Sequence, residues 1–169
     1  MYSQDLLKEL EAFYKEVDDS TSNIYALYKS KLKCRKGCSS CCQDDIEIFG
    51  VEAALIRNNY PQLLEEGHPA KVGACAFLDA EGGCRIYESR PLICRVFGMP
   101  LRWLEGPKRH QKDIRSVCAL NFENETINDL PVEHCLHMDP LEEKLVLLQM
   151  RSGKPSLDKI SLRKLFPNH

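Results

Sequence analysis

Cys34-Arg35-Lys36-Gly37-Cys38-Ser39-Ser40-Cys41-Cys42 puts four thiols into nine residues. A second group follows at Cys75, Cys84 and Cys94. Thiolates are soft ligands that suit zinc, copper(I) and iron–sulfur clusters. Cys38-x2-Cys41 has the spacing by which one turn presents two sulfurs to one metal. Cys75, Cys84 and Cys94 can complete the shell from distant sequence. Successive side chains diverge, by about 100° in a helix and about 180° in a strand. A single mononuclear site therefore does not easily use both Cys41 and Cys42. Either the two serve different metals, or one ligates and the other packs in the core. More than one metal fits this better than a single zinc.

The cysteine count points the same way. There are nine, an odd number, and two are adjacent. A disulfide framework needs an oxidising compartment and usually an even count. Met1 to Glu11 carries acidic residues and no apolar core, so it does not read as a signal peptide. No apolar run approaches the roughly 18 residues of a membrane span. A cytoplasmic, reducing location is expected, where clustered cysteines serve as metal ligands or redox groups. The formal charge of −2 and the lack of a basic stripe with interleaved aromatics give no basis for nucleic-acid binding. The chain of 169 residues is long enough for one domain with a real core.

Around the cysteines the sequence reads as a predominantly helical α+β domain. Residues 1–33 form a helical scaffold, 34–118 a cysteine-rich metal-binding core and 119–169 a second helical scaffold. Leu6, Leu7, Leu10, Phe13, Tyr14 and Val17 recur at helical spacing over 3–17. Asp18-Asp19-Ser20-Thr21 breaks that pattern, and Ile24, Leu27, Tyr28 and Leu32 suggest a second helix. Ile46 and Ile48 allow a short strand. Residues 50–59 look helical, and Pro61 to Glu66 adds a further turn. Cys75-Ala76-Phe77-Leu78 and Cys84-Arg85-Ile86-Tyr87 flank a Gly-Gly turn and read as a short β-hairpin. Pro91 to Gly98 gives a short helix carrying Cys94. Strands are expected at 99–103 and 114–119. Residues 120–138 show no clean period. Asp139-Pro140 opens a helix through Arg151, stopped by Ser152-Gly153-Lys154-Pro155, and 158–166 reads as a weaker last helix.

Other side chains near the thiols have two readings each. Arg35, Arg85 and Arg95 directly follow cysteines, and Arg90 lies close by. They either donate to anionic sulfur and tune the site or are ordinary surface charges. Cys118 lies between Val117 and Ala119, where a buried core thiol is plausible. His134-Cys135-Leu136-His137 has the donors for zinc, but isolated histidines usually serve structure. Asp44 and Asp45 more often cap a loop than ligate. Tyr87, Glu88, Asp44, Asp45 and His68 are acid–base candidates by sequence proximity alone, which assigns none of them to catalysis.

The segments Cys34 to Cys42, Cys75-Ala-Phe-Leu, Cys84-Arg-Ile-Tyr-Glu-Ser-Arg-Pro91 and Leu-Ile-Cys94-Arg-Val-Phe97 together resemble the family of zinc- or iron-chelating proteins named for its CxxCxxCC motif. The resemblance covers 34–118. It implies a ligand set of Cys34, Cys38, Cys41, Cys42, Cys75, Cys84, Cys94 and Cys118, with Cys135 outside it. One departure is visible: three residues separate Cys34 from Cys38 where the family name has two, and Gly37 gives that loop slack. The resemblance implies metal ions as partner and zinc or an iron–sulfur cluster as cofactor. With the residue reading, it leaves two functions open. One is a metal chelator whose cluster supports redox or group-transfer chemistry. The other is a structural zinc module or metal carrier without catalysis.

Overall fold

The computed structural model describes residues 2–35, 37–123, 125–152 and 156–167. The first element, α1 (Gln4–Tyr28), is one helix of 25 residues, not two. Ser3 caps it, its hydroxyl accepting from Leu6 N at 3.2 Å. The expected break at 18–21 does not occur. Ser20 Oγ donates to the Glu16 carbonyl and Thr21 Oγ1 to that of Asp18, so both hydroxyls bond back into their own helix. Lys15 pairs with Asp19 one turn on at 2.8 Å. The polar run is therefore helix surface rather than a cap. The helix ends where Lys31 N and Leu32 N both turn back to the Tyr28 carbonyl, short of the cysteine loop.

Next come β1 (Glu47–Phe49), α2 (Gly50–Asn59) and α3 (Pro61–Glu66). Pro61 starts α3, where its missing N–H costs nothing. The short helix α4 (Leu92–Val96) carries Cys94. Strands β2 (Leu101–Glu105) and β3 (Lys112–Ser116) pair antiparallel, a few residues from the positions expected. The aperiodic stretch 120–138 holds turns and two short 3-10 segments, then ends in β4 (Leu136–His137), which lies parallel to β2. Helix α5 (Met138–Met150) follows. Its expected stop at 153–155 lies outside the described residues.

Two further expectations fail. The tail from Asp158 is not a helix. Lys159–Ser161 forms β5, antiparallel to β1, and Leu162–Leu165 a 3-10 turn. The Ser161 hydroxyl accepts from Arg163 N, which favours that turn over a full helix. The cysteine hairpin at 75–87 shrinks to a single antiparallel bridge, Leu78 to Cys84. Backbone bonds from Asp79 N to Gly83 O and from Arg85 N to Phe77 O, both at 2.9 Å, flank that bridge, and the Asp79 carboxylate closes the turn, accepting from Gly83 N at 2.6 Å and Glu81 N at 3.0 Å. Tyr87–Ser89 then turns into a 3-10 segment.

Apolar side chains gather in two clusters. One joins α1, α2, α4 and α5 through Leu10, Phe13, Val17, Leu55, Val96 and Leu148. The other packs Phe77, Ile86, Leu162, Leu165 and Phe166 against Ile56 of α2. Helix α2 belongs to both, so its Glu52 sits between them. Glu52 is 3% exposed. It accepts from the Tyr14 hydroxyl at 2.9 Å, from Leu92 N at 2.9 Å and from Phe49 N at 3.1 Å. One carboxylate thus ties α1, the start of α4 and the start of α2 together. Among the described residues, no helix is long and apolar enough to cross a membrane.

Candidate metal centre

Cys34 sits just past the end of α1, and Asn121 holds it there. The Asn121 side chain is buried. Its carbonyl accepts from Lys33 N at 2.7 Å, and its amide donates to the Gly98 carbonyl at 2.6 Å and to Cys34 Sγ at 3.5 Å. Asn121 N in turn donates to the Cys118 carbonyl at 2.8 Å. One amide therefore gathers Cys34, the exit of α4 and the Cys118 turn. Nothing in the sequence around Asn121 marks it, and the motif-centred reading missed it. Gly98 shows how close the approach is. Its φ is +96°, and a Cβ there would lie 2.5 Å from Cys34 Sγ. Only glycine meets both conditions without displacement.

From Cys34 the chain turns twice. Cys38 N bonds to Arg35 O and Cys42 N to Ser39 O, both at 2.9 Å. Gln43 N then reaches back to Cys41 O at 3.1 Å, a tight turn about Cys42. The pair lies in this turn, in neither helix nor strand. The neighbouring Cys42 thiol above all draws Cys41 down to about 6, with Arg90 assisting. Cys41 beside it, and then partial burial, push Cys42 far up.

Cys42 also opens the second group. Its carbonyl accepts from Cys75 N at 3.0 Å. The Cys75 carbonyl accepts from Leu78 N, and Leu78 bridges to Cys84. Burial is the main cause that raises Cys75, Cys84 and Cys94. Neighbouring thiols raise Cys94 further, Cys75 and Cys84 foremost. Cys34 is raised by burial, then by Cys38, Cys118 and Cys41 against the opposing Asn121 bond.

The arginines separate cleanly. Arg85 donates to the His68 and Ala76 carbonyls and lies over the Phe166 ring. Arg95 is buried, pairs with Asp18 at 2.5 Å, and donates to the Arg90 and Glu88 carbonyls. Both are structural. Arg90 stacks on Tyr87 at 3.6 Å, and its charge lowers Cys41, Cys84 and Cys94. Arg85 also lowers Cys84, less than Arg90 does, and Arg163 lowers Cys75. Arg35 is exposed.

The remaining candidates have other tasks. Asp44 accepts from Arg163 at 2.5 Å and from Gly73 N at 2.9 Å, closing the 70–74 loop. Tyr28 and His134 share a hydrogen bond of 2.6 Å, and His137 faces Asp139 at 2.9 Å. Cys135 is buried, and the charges nearest it are Arg115, Asp113 and Arg102. Tyr87 and Glu88 are exposed on the 3-10 turn. Asp45 lines a cleft of about 340 Å³ that also reaches Cys41, Phe97 and Glu142.

The donor set is soft and all sulfur, which fits a thiophilic metal. Where burial raises a thiol, metal must displace its proton in order to bind. Among the described residues, no three His, Cys, Asp or Glu side chains already stand close enough to hold an ion. A family model described as "CxxCxxCC: Putative zinc- or iron-chelating domain" matches residues 33–136. That span exceeds 34–118 and takes in Asn121 and Cys135. No curated protein and no solved structure matches the chain.

Proposed function

The chain belongs to the CxxCxxCC family of zinc- or iron-chelating domains, and from that premise we propose that it holds more than one metal on Cys34, Cys38, Cys41, Cys42, Cys75, Cys84, Cys94 and Cys118. The observation that carries this reading is the continuous run of backbone and side-chain bonds leading from Cys118 through Asn121 to Cys34, and from Cys42 through Cys75 to Cys84. Bound zinc would cross-link the loops, and a bound iron–sulfur cluster would add a redox couple. Arg90 offsets part of the thiolate charge, Asn121 donates to sulfur, and Glu52 fixes the start of the helix that carries Cys94. Residues 1–169 act as one domain in this reading, since α1 packs on α2, α4 and α5 together. Holding metal as a structural module or carrier needs no further group. Redox or group-transfer chemistry would need the iron–sulfur form. The reading places the protein in a reducing, cytoplasmic setting, where the thiols stay available.

Two substitutions test the ligand set. Cys94→Ser is expected to lower bound metal per chain by about half or more, since one thiol of a four-ligand site is lost. Cys135→Ser is expected to leave metal content at the wild-type level. Equal metal content in the two variants, measured on folded protein, would reject the assignment.

A further inference from the structure

We propose that the cleft between α4, α5 and β1 is a binding site for a small organic cation with an apolar body, an aryl-alkylammonium in chemical class. The site goes beyond metal chelation and is built from residues other than the eight thiols.

The cleft has a volume of about 340 Å³, the size of a small-molecule site rather than of a protein interface. Three elements build its apolar part. Helix α4 supplies Leu92 and Ile93, with Phe97 just past its end. Helix α5 supplies Leu145 and Val146, and β1 supplies Phe49. Leu92 and Leu145 are buried and form the floor, whereas Phe97 is exposed. An exposed phenylalanine on the wall of an apolar cleft offers a ring for a ligand ring to cover.

Charge selects the ligand. Asp45, Glu47 and Glu142 line the cleft and are exposed at its rim. They come from the loop before β1, from β1 itself and from α5, so the fold brings them together from separate places. Among the described residues, none of these three carboxylates has a hydrogen-bond or ion-pair partner. Glu52 lines the cleft too, but its oxygens are engaged by Tyr14, Leu92 and Phe49. Lys159 is the one cation among the described lining residues, and it lies 5.2 Å from the Phe49 ring centroid. Unpaired carboxylates that outnumber this ammonium give the rim a negative field, which attracts a cation and repels an anion. The apolar wall then favours a cation carried on a ring and chain over a bare ion. Cys41 lines the same cleft, so a bound ligand lies beside the cysteine loop.

The test is an NMR titration of full-length, reduced protein with tryptamine. A matched titration uses indole-3-propionate, which has the same ring and the opposite charge. Tryptamine is expected to bind saturably at roughly millimolar concentration, usual for a ligand of about a dozen heavy atoms. The amides it shifts should be those of 45–49, 92–97 and 142–146. Indole-3-propionate is expected to bind about tenfold more weakly or worse. Glu142→Lys should weaken tryptamine by about tenfold. Glu143→Lys makes the same charge change on the next exposed residue, outside the cleft, and should stay within about twofold of wild type. Val146→Phe should fill the cleft and abolish binding, and Glu142→Lys decides the matter if that variant does not fold. Equal losses in Glu142→Lys and Glu143→Lys would reduce the effect to net charge and overturn the site. Equal affinity for the two indoles, or no shifts at the lining residues, would overturn it as well. None of these outcomes depends on metal content, so failure here leaves chelation standing.

Discussion

Glu52→Ala is expected to lower the free energy of unfolding by about 3–5 kcal/mol, the range for breaking a buried polar network. The carboxylate is buried and has three donors converging on it: the Tyr14 hydroxyl, Leu92 N and Phe49 N. Burial raises its pKa, while those bonds from Leu92, Phe49 and Tyr14 act in the opposite direction. Removing it strands all three donors at the junction of α1, α2 and α4. Each buried donor left without a partner costs roughly 1–3 kcal/mol. Glu52→Gln separates hydrogen bonding from volume. Its amide oxygen can keep Tyr14 and Leu92, so it should lose only the Phe49 bond, about 1 kcal/mol. Urea denaturation of the three proteins reads the order directly. A cost below about 1 kcal/mol for Glu52→Ala would mean that solvent already reaches the site. Because Leu92 opens the helix of Cys94, Glu52→Ala should also weaken metal retention more than Glu52→Gln does.

Stripping the metal from reduced protein is expected to lower the melting temperature by on the order of 10 °C or more, given the large share of folding energy that structural metals supply. Among the described residues, none from 34 to 41 joins either apolar cluster. Their described backbone order comes from a few turn bonds such as Cys38 N to Arg35 O and Cys42 N to Ser39 O. Without metal the raised thiols stay protonated and supply no cross-link. The loss should be uneven. Helix α1 and helix α5 share a cluster free of cysteine and should keep their amide protection, while 34–45 and 70–86 should exchange quickly. Identical melting and identical exchange in the apo and metal-loaded forms would show that the thiols carry no structural metal.

The first helix was legible from Leu6 to Val17 because burial repeats there at helical spacing. Its continuation through Asp18 to Thr21 was not, since those side chains look like caps until Arg95 and the backbone carbonyls are seen to engage them. The hairpin at 75–87 looked like strand because its residues are apolar and β-prone. Only the single bridge from Leu78 to Cys84 forms there, with the Asp79 carboxylate closing the turn. Strand β5 was misread because three residues carry too little period to outweigh a helical guess, and its partner β1 lies more than a hundred residues away. The eight thiols were readable from spacing and resemblance. Which arginines act on the thiols was not, since Arg85, Arg90 and Arg95 occupy similar sequence surroundings and differ in the carbonyls and rings they meet. Asn121 was invisible for the same reason: its role lies wholly in contacts with Lys33, Cys34 and Gly98.

The most direct measurement is the zinc, iron and acid-labile sulfide bound per chain in protein purified without oxygen, with its visible spectrum. Chelation by the clustered thiols requires stably bound zinc, or iron with matching sulfide and absorption at roughly 400 nm from cysteine-ligated cluster. Folded, fully reduced protein that carries neither metal, and takes up neither when they are supplied, would contradict it.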